Sequence, residues 1–307
     1  MDFEFEVAAW ENGFRLDRLV SEKYPGLSRS AAARSIKSGD IRVGEKRVKP
    51  AYQVSSQEIV KGVIDEAEPF DAAAERIALE VLFEDPYIVV VNKPRGLVVH
   101  PGPGNHSGTL VNALLHHCPE IGGAGPDMTR SGIVHRLDKD TSGVIVAAKT
   151  PAALSFLQKE FKHRRVKKTY TAIVSGAVTG EKGAIRLPLR RHPTKRKMMA
   201  VDREKGKYAE TEWKVLERFD RATLVKVTLK TGRTHQIRAH FYAEGHPLIG
   251  EKVYQTRKRR RTGAAAQRQM LHSSFISFRH PFSGQKVCFK APLSEDFQQV
   301  LEGFRSK

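Results

Sequence analysis

The nine residues His135-Arg136-Leu137-Asp138-Lys139-Asp140-Thr141-Ser142-Gly143 carry the clearest chemical signal in the chain. They set two carboxylates among basic and turn-forming residues, directly before the apolar stretch Val144–Ala148, which reads as a strand. A carboxylate at the mouth of a strand is held firmly and still reaches solvent. An ordinary loop aspartate has a pKa near ~3.9 and is ionised at neutral pH. It can attack as a nucleophile or accept a proton, but it cannot donate one. Neighbouring cations keep it ionised and aimed, and they suit an anionic substrate. On spacing alone either Asp138 or Asp140 fits the role. The plainer reading is a turn whose Asp, Thr and Ser side chains satisfy backbone donors.

Two further runs add chemistry. Thr231-Gly232-Arg233-Thr234-His235-Gln236-Ile237-Arg238 follows a strand-like stretch and opens a helix expected over His235–Glu244. A helix start offers free N–H groups and favours anions. His235 and Arg238 lie three apart, so one helix face presents both. Lys167-Lys168-Thr169-Tyr170 places two cations before an aromatic ring, a pattern suited to gripping a nucleic-acid backbone and stacking a base.

These runs need a scaffold. Strands are expected at Ile88–Val91, Val144–Ala148, Tyr170–Val174 and Leu224–Leu229. Tyr170, Ala172 and Val174 then share one face, and Thr169, Thr171 and Ile173 the other. A helix over Pro151–Arg164 starts with Thr150 as cap and aligns Leu154, Leu157 and Phe161. Strands with irregularly interspersed helices imply an α+β fold, a mixed sheet with flanking helices.

Residues 14–64 read as a separate small α/β module. A helix over Arg15–Tyr24 is broken by Pro25-Gly26. A second, Arg29–Ser38, is capped by Ser28 and ended by Gly39. Short strands are expected at Ile41–Val43 and Arg47–Val48. Residues 65–76, acidic and Ala-rich, read as a linker to a domain over 77–307.

The chain of 307 residues has a formal net charge of +19, which suits a polyanionic partner. The charge is uneven. Residues 1–75 hold 11 Lys and Arg against 14 Asp and Glu, a net of −3; the remainder hold 42 against 20, a net of +22. Two cysteines, Cys118 and Cys288, form no disulfide framework and are expected to be free, buried thiols of a reduced compartment. The acidic N-terminus has no leader-peptide pattern, and no apolar run approaches a membrane span, so a cytoplasmic protein is expected. Gly102-Pro103-Gly104 is not followed by Gly-Lys-Ser/Thr, so it is no phosphate loop. No Cys/His set has zinc spacing.

The N-terminal module resembles the S4 RNA-binding domain in Arg15-Leu16-Asp17, Leu27-Ser28-Arg29-Ser30-Ala31 and Ile36–Val43, with Gly44-Glu45 where that family usually has Asn-Gly. The resemblance implies RNA contacts from Arg15, Arg18, Arg29, Arg34, Lys37 and Arg42. Together with the three chemical runs, the blocks Asn92–Pro101, Gly108–Leu115, His246–Glu251, Leu271-His272 and His280–Gly284 resemble the RluA-type pseudouridine synthases, in particular the branch with an N-terminal S4 domain acting on large-subunit ribosomal RNA. That resemblance implies a largely antiparallel sheet and isomerisation of uridine without redox cofactor or metal. It implies that Asp138 is the catalytic aspartate and Arg238 its partner. Arg136 is the arginine that enters the RNA where the target nucleotide leaves. Tyr170 packs on the target base and is a candidate base for its C5 proton. His135, Thr141, Arg233, His235 and Lys168, from the same runs, are expected to bind substrate. The expected partner is 23S-type RNA, free or in an assembling subunit, met by a monomer away from any membrane. A non-catalytic RNA-binding or ribosome-assembly factor is the rival reading. A two-carboxylate glycoside hydrolase is another, disfavoured by the +22 charge. A very basic run, Arg257-Lys258-Arg259-Arg260-Arg261, is expected to be an RNA-contacting insertion.

Overall fold

The computed structural model describes residues 2–306 apart from 25, 26, 28, 64–71, 103, 126 and 256–265. The break at Pro25-Gly26, the Ser28 cap, most of the 65–76 linker and the basic run 257–261 therefore lie outside the described residues. The chain divides into two compact units, residues 1–70 and 71–307.

In the first unit, β1 (Asp2–Glu6), α1 (Leu16–Lys23), α2 (Arg29–Ser38), β2 (Ile41–Val43) and β3 (Ile59–Val63) build a three-stranded antiparallel sheet, order β1-β3-β2. Leu16, Leu19 and Val20 of α1 and Ile36 of α2 are fully buried with Ile41 and Val60 of the sheet. The unit thus begins before residue 14, because β1 supplies an outer strand. Arg47–Val48 is not a strand. A tight turn pairs Val43 with Lys46, and the Arg47 guanidinium then folds over Gly39, in space that a side chain there would fill. That contact draws the chain off the sheet edge, and Pro50 beyond it has no N–H to pair.

The second unit is built on nine strands: β4 (Glu80–Glu84), β5 (Ile88–Lys93), β6 (Ser142–Ala148), β7 (Lys167–Ser175), β8 (Lys182–Ile185), β11 (Thr211–Arg218), β12 (Ala222–Leu229), β13 (Leu271–Arg279) and β14 (Lys286–Lys290). Their order is β4-β5-β6-β13-β7-β12-β11-β8, with β14 also on β13. All pairings are antiparallel except β6 with β13. A separate hairpin joins β9 (Leu189–Arg191) to β10 (Met199–Val201). Helices α3 (Leu110–His117), α4 (Pro151–Lys162), α5 (Gln236–Ala243) and α6 (Glu295–Arg305) flank the sheet. The central strands are buried on both faces: Val89 and Val91 join one apolar cluster, Ile88 and Val90 another. This is why β5 and β6 read as unbroken apolar runs and not as alternation.

Residues 72–76, read as linker, are pinned to this unit. Ala72 is buried, and Asn112 of α3 donates its side-chain amide to Ala73 O and accepts the Glu75 N–H at its own carbonyl. Cys118 is buried, and burial pushes its thiol up to about 12. Cys288, expected to be buried, is exposed. It lies on β14 between Val287 and Phe289, which turn to the core, so strand alternation sends it outward.

Gly143 is needed where β6 meets β13. Its φ is +111°, and a Cβ there would stand 2.3 Å from the Ser273 carbonyl oxygen. Gly143→Ala is expected to cost about 3 kcal/mol or more of stability, read as a lower urea midpoint. An unchanged midpoint would mean that the two strands can separate there freely.

Candidate active site

The run 135–143 enters β6 through a turn closed by Thr141 N–H on Asp138 O at 3.0 Å. The turn is fastened from beneath. Lys139 O accepts from Gly96 N at 2.9 Å and from Lys93 Nζ at 3.1 Å. Lys93 is fully buried and gives its remaining donors to Pro94 O and Leu97 O. Burial, with the Arg268 charge, pushes its ammonium down to about 7 against the pull of Asp140 and Asp138. Arg268, also buried, donates to Asp140 O at 2.9 Å and forms a two-pronged pair with Asp296. Asp138 is thus presented on a backbone with little freedom.

Facing it is the start of α5. Arg238 NH1 donates to Asp138 Oδ2 at 2.8 Å. Its other two nitrogens, Nε and NH2, each donate to a Glu251 oxygen at 2.8 Å. Glu251 is 1% exposed and also accepts the backbone N–H groups of Lys252 and Val253. Burial alone would raise its carboxyl; the Arg238 hydrogen bonds and charge, with the backbone donors, hold it below its usual range. The same two carboxylates keep the Arg238 guanidinium charged despite burial. A bidentate grip on one edge of the fork leaves one N–H aimed at Asp138.

His235 adds a second contact. It caps α5 with φ +52°, a strained left-handed backbone for a residue other than glycine. Its Nε2 lies 3.7 Å from Asp138 Oδ2, and its Nδ1 is 3.0 Å from the Tyr254 hydroxyl. That hydroxyl accepts the Met199 N–H, so its own proton is free for Nδ1. With Nδ1 as acceptor, the neutral ring carries its proton on Nε2, toward Asp138. Burial lowers the His235 pKa, against the Asp138 charge, and favours this neutral form. Gln236 secures the loop by accepting from Arg233 N and donating to Glu210 O and Thr211 Oγ1.

Asp138, Arg136, Asp140, His235 and Arg238 line a cleft of about 550 Å³, whose far wall is the β9–β10 hairpin with Arg191, Arg196 and Lys197. Arg136 is exposed at its mouth. Tyr170 is 6% exposed, and burial together with the Asp138 charge raises its phenol far above the ordinary value.

Tyr170, expected to pack on the target base, is not among the residues lining this cleft, and neither are four other expected substrate contacts. His135 stacks on Phe161 at 4.8 Å and accepts the Val146 N–H at Nε2. Adjacent side chains of an extended segment point apart, so placing Arg136 in the cleft turns His135 away from it. Thr141 is 2% exposed, with its hydroxyl turned inward below the turn. Lys168 Nζ lies 5.6 Å from the Phe161 ring centroid, and Arg233 donates to Tyr208 O. In the first unit, Arg15 and Arg29 pair with Asp17, Arg18 with Glu22, and Arg42 donates to Gly39 O. Glu251, Tyr254, Lys93, Arg268 and the hairpin wall had no role assigned from sequence. The available signal was Glu251, a lone acid ending the apolar block His246–Gly250.

His135 gives a pH prediction. Burial, with the Lys168 charge, pushes its pKa down to about 3, whereas the unfolded ring takes a proton near ~6.5. Its stabilising contribution is full above pH 6.5 and is lost as pH falls toward 3. His135→Gln keeps an acceptor for Val146 N–H and should flatten that acid slope in urea titrations. An unaltered slope would assign the acid loss to other groups.

The chain is similar in sequence and fold to known proteins. Residues 87–243 match the RNA pseudouridylate synthase family model, and residues 14–60 match the S4 domain. An uncharacterized RNA pseudouridine synthase of Bacillus subtilis is 40% identical over 291 residues, covering 95% of this chain and 94% of its own. Ribosomal large subunit pseudouridine synthase D of Haemophilus influenzae is 37% identical over 311 residues, covering 98% and 94%. The solved structure of human RNA pseudouridylate synthase domain containing 1 superposes with a TM-score of 0.56 at 25% identity, covering 76% of this chain and 97% of its own. Family models over most of the chain, with relatives 37–40% identical along nearly its whole length, identify it as a member of the RNA pseudouridylate synthase family that carries an N-terminal S4 domain.

Proposed function

We propose that the protein converts uridines of large-subunit ribosomal RNA to pseudouridine, with Asp138 as the catalytic group. The observation that carries the assignment of Asp138 is the Asp138–Arg238–Glu251 chain, which aims one carboxylate into a cationic cleft. The choice of RNA rests on the printed function of relatives such as the Haemophilus influenzae protein and on the S4 domain. We read the enzyme as a cytoplasmic monomer; no helix among the described residues is long and apolar enough to cross a membrane.

The reaction breaks the N1–C1′ bond and forms a C5–C1′ bond. The proton lost at C5 is matched by one gained at N1, so atoms and electrons balance without a donor. The target nucleotide leaves the stack, at a cost of a few kcal/mol, and Arg136 fills its place. Asp138 then attacks C1′ or removes the C2′ proton; both routes use the same carboxylate. Arg238 and His235 hold that carboxylate while the uracil rotates. Burial keeps the Tyr170 phenol protonated, which argues against its acting as a base. Tyr170 is assigned to packing against the base, and the C5 proton goes to water or to Asp138.

Release of tritium from 5-³H-uridine ribosomal RNA tests the reading. Stoichiometric release is expected from large-subunit RNA. Release from transfer RNA but not from ribosomal RNA would overturn the substrate, and no release from either would overturn the activity.

A further inference from the structure

Away from the cleft, the second unit gathers cations around an exposed aromatic ring. Tyr208 is 47% exposed. Its carbonyl accepts from Arg233 Nε at 3.2 Å, and its hydroxyl donates to Glu210. The other Glu210 oxygen is 2.9 Å from Nε of Arg186, itself 62% exposed. Lys168 extends the group: its Nζ lies 3.3 Å from where a Cβ would stand on Gly232, next to Arg233. The same amine sits near Phe161 of α4, and Arg164 lies two residues past the end of that helix. The Glu210 bond and burial hold the Tyr208 phenol above its ordinary range, and Arg186 and Arg164 are the two cations acting against them. Arg186 and Arg233 thus bracket the exposed ring, the first through Glu210 and the second on the Tyr208 carbonyl.

Arg164 supplies an independent sign. Helix α4 ends in a Schellman motif, with Arg164 N–H on Phe161 O at 3.1 Å and Arg165 N–H on Glu160 O at 3.0 Å. The left-handed position of that motif ordinarily holds glycine, and here it holds an exposed arginine at φ +59°. Strain of this kind clusters at ligand-binding sites.

We propose that this surface is a second RNA contact: Tyr208 stacks an unpaired base flanking the target, and Arg164, Arg186 and Arg233 hold the adjoining phosphates. It rests on the reading of the protein as an RNA-modifying enzyme. Continuity with the cleft supports it, because Thr234, next to Arg233, is a cleft residue. It also gives Arg233 a role on RNA without contact to Asp138. Stacking on aromatics and cationic capture of phosphates are sequence-tolerant, so this contact would set affinity and not the choice of uridine.

The test is binding of the full chain to in-vitro-transcribed large-subunit ribosomal RNA and to mixed-sequence single-stranded RNA. Tyr208→Ala is expected to raise Kd about tenfold. Arg164→Gly should raise the melting temperature, by relieving the backbone, while weakening RNA binding and lowering the slope of log K against log salt by about 0.7. A purely structural Arg164 would raise the melting temperature and leave Kd alone. Kd values within twofold of the unaltered protein for both variants, with the salt slope unchanged, would overturn the proposal. Turnover by the unaltered protein is followed in parallel; its absence would count against the enzymatic reading, while the surface stands or falls on Kd.

Discussion

Asp138→Asn is expected to lower pseudouridine formation by at least ~10³-fold while leaving RNA affinity within about threefold. Asparagine keeps the shape, and its carbonyl can still accept the Arg238 N–H now 2.8 Å from Asp138 Oδ2. What disappears is the negative charge, and with it both a nucleophile and a proton acceptor at the sugar. Binding should persist because the substitution leaves Arg136, Arg191, Arg196 and Lys197, the cations lining the cleft, in place. Removing an anion from a site for a polyanion would tighten binding, if it changes it at all. Single-turnover tritium release and filter binding on the same RNA separate the two quantities. Retained turnover would remove Asp138 from the mechanism, and joint loss of both would point to misfolding. Asp140→Asn is the matched control, since the Arg268 contact near it is to the Asp140 carbonyl and not to its carboxylate.

Arg238→Met should be damaging in a different way. It strands Glu251, 1% exposed, with backbone donors alone, and it frees Asp138 from its closest cation. Breaking a buried pair by removing one partner costs about 3–5 kcal/mol, because the remaining charge has no compensation. Glu251→Met should be destabilising for the mirror reason, although Arg238 retains Asp138. The double variant Arg238→Met/Glu251→Met removes both charges and should recover much of the stability but none of the activity. A double-mutant cycle in urea, read beside single-turnover rates, checks this. Additivity within about 0.5 kcal/mol would show that the two residues do not act as a unit. Glu251→Gln is the milder probe: it keeps one acceptor for Arg238 and turns an N–H against the other donor, so a smaller stability loss should accompany a clear fall in rate.

Much of the catalytic strand system was legible because buried strands leave continuous apolar runs. The stretches 88–91 and 144–148 lie inside β5 and β6. Thr150 caps α4 by accepting the Ala153 N–H, as its position before Pro151 implied. Arg47–Val48 failed because strand propensity does not report a sheet edge blocked by a side chain packed over Gly39. Cys288 failed because the habit of cysteine is a statistical preference, whereas alternation along β14 is geometry.

The site divides along the same line. Asp138, Arg238, His235 and Arg136 stood out because charged groups clustered at the mouths of regular elements are visible one run at a time. Their pairing across 100 residues was not visible, nor was Glu251 as the third member. His135, Thr141, Lys168 and Arg233 share the same runs with equal chemical promise, yet the fold turns them elsewhere. The sequence alone determined which groups are available and which backbone segments carry them, since local spacing sets turns, caps and strand faces. Only the tertiary structure decided which groups meet. An ion pair such as Asp138–Arg238 needs the turn before β6 and the first turn of α5 placed so that two side-chain atoms stand 2.8 Å apart, and that follows from the packing of the whole sheet.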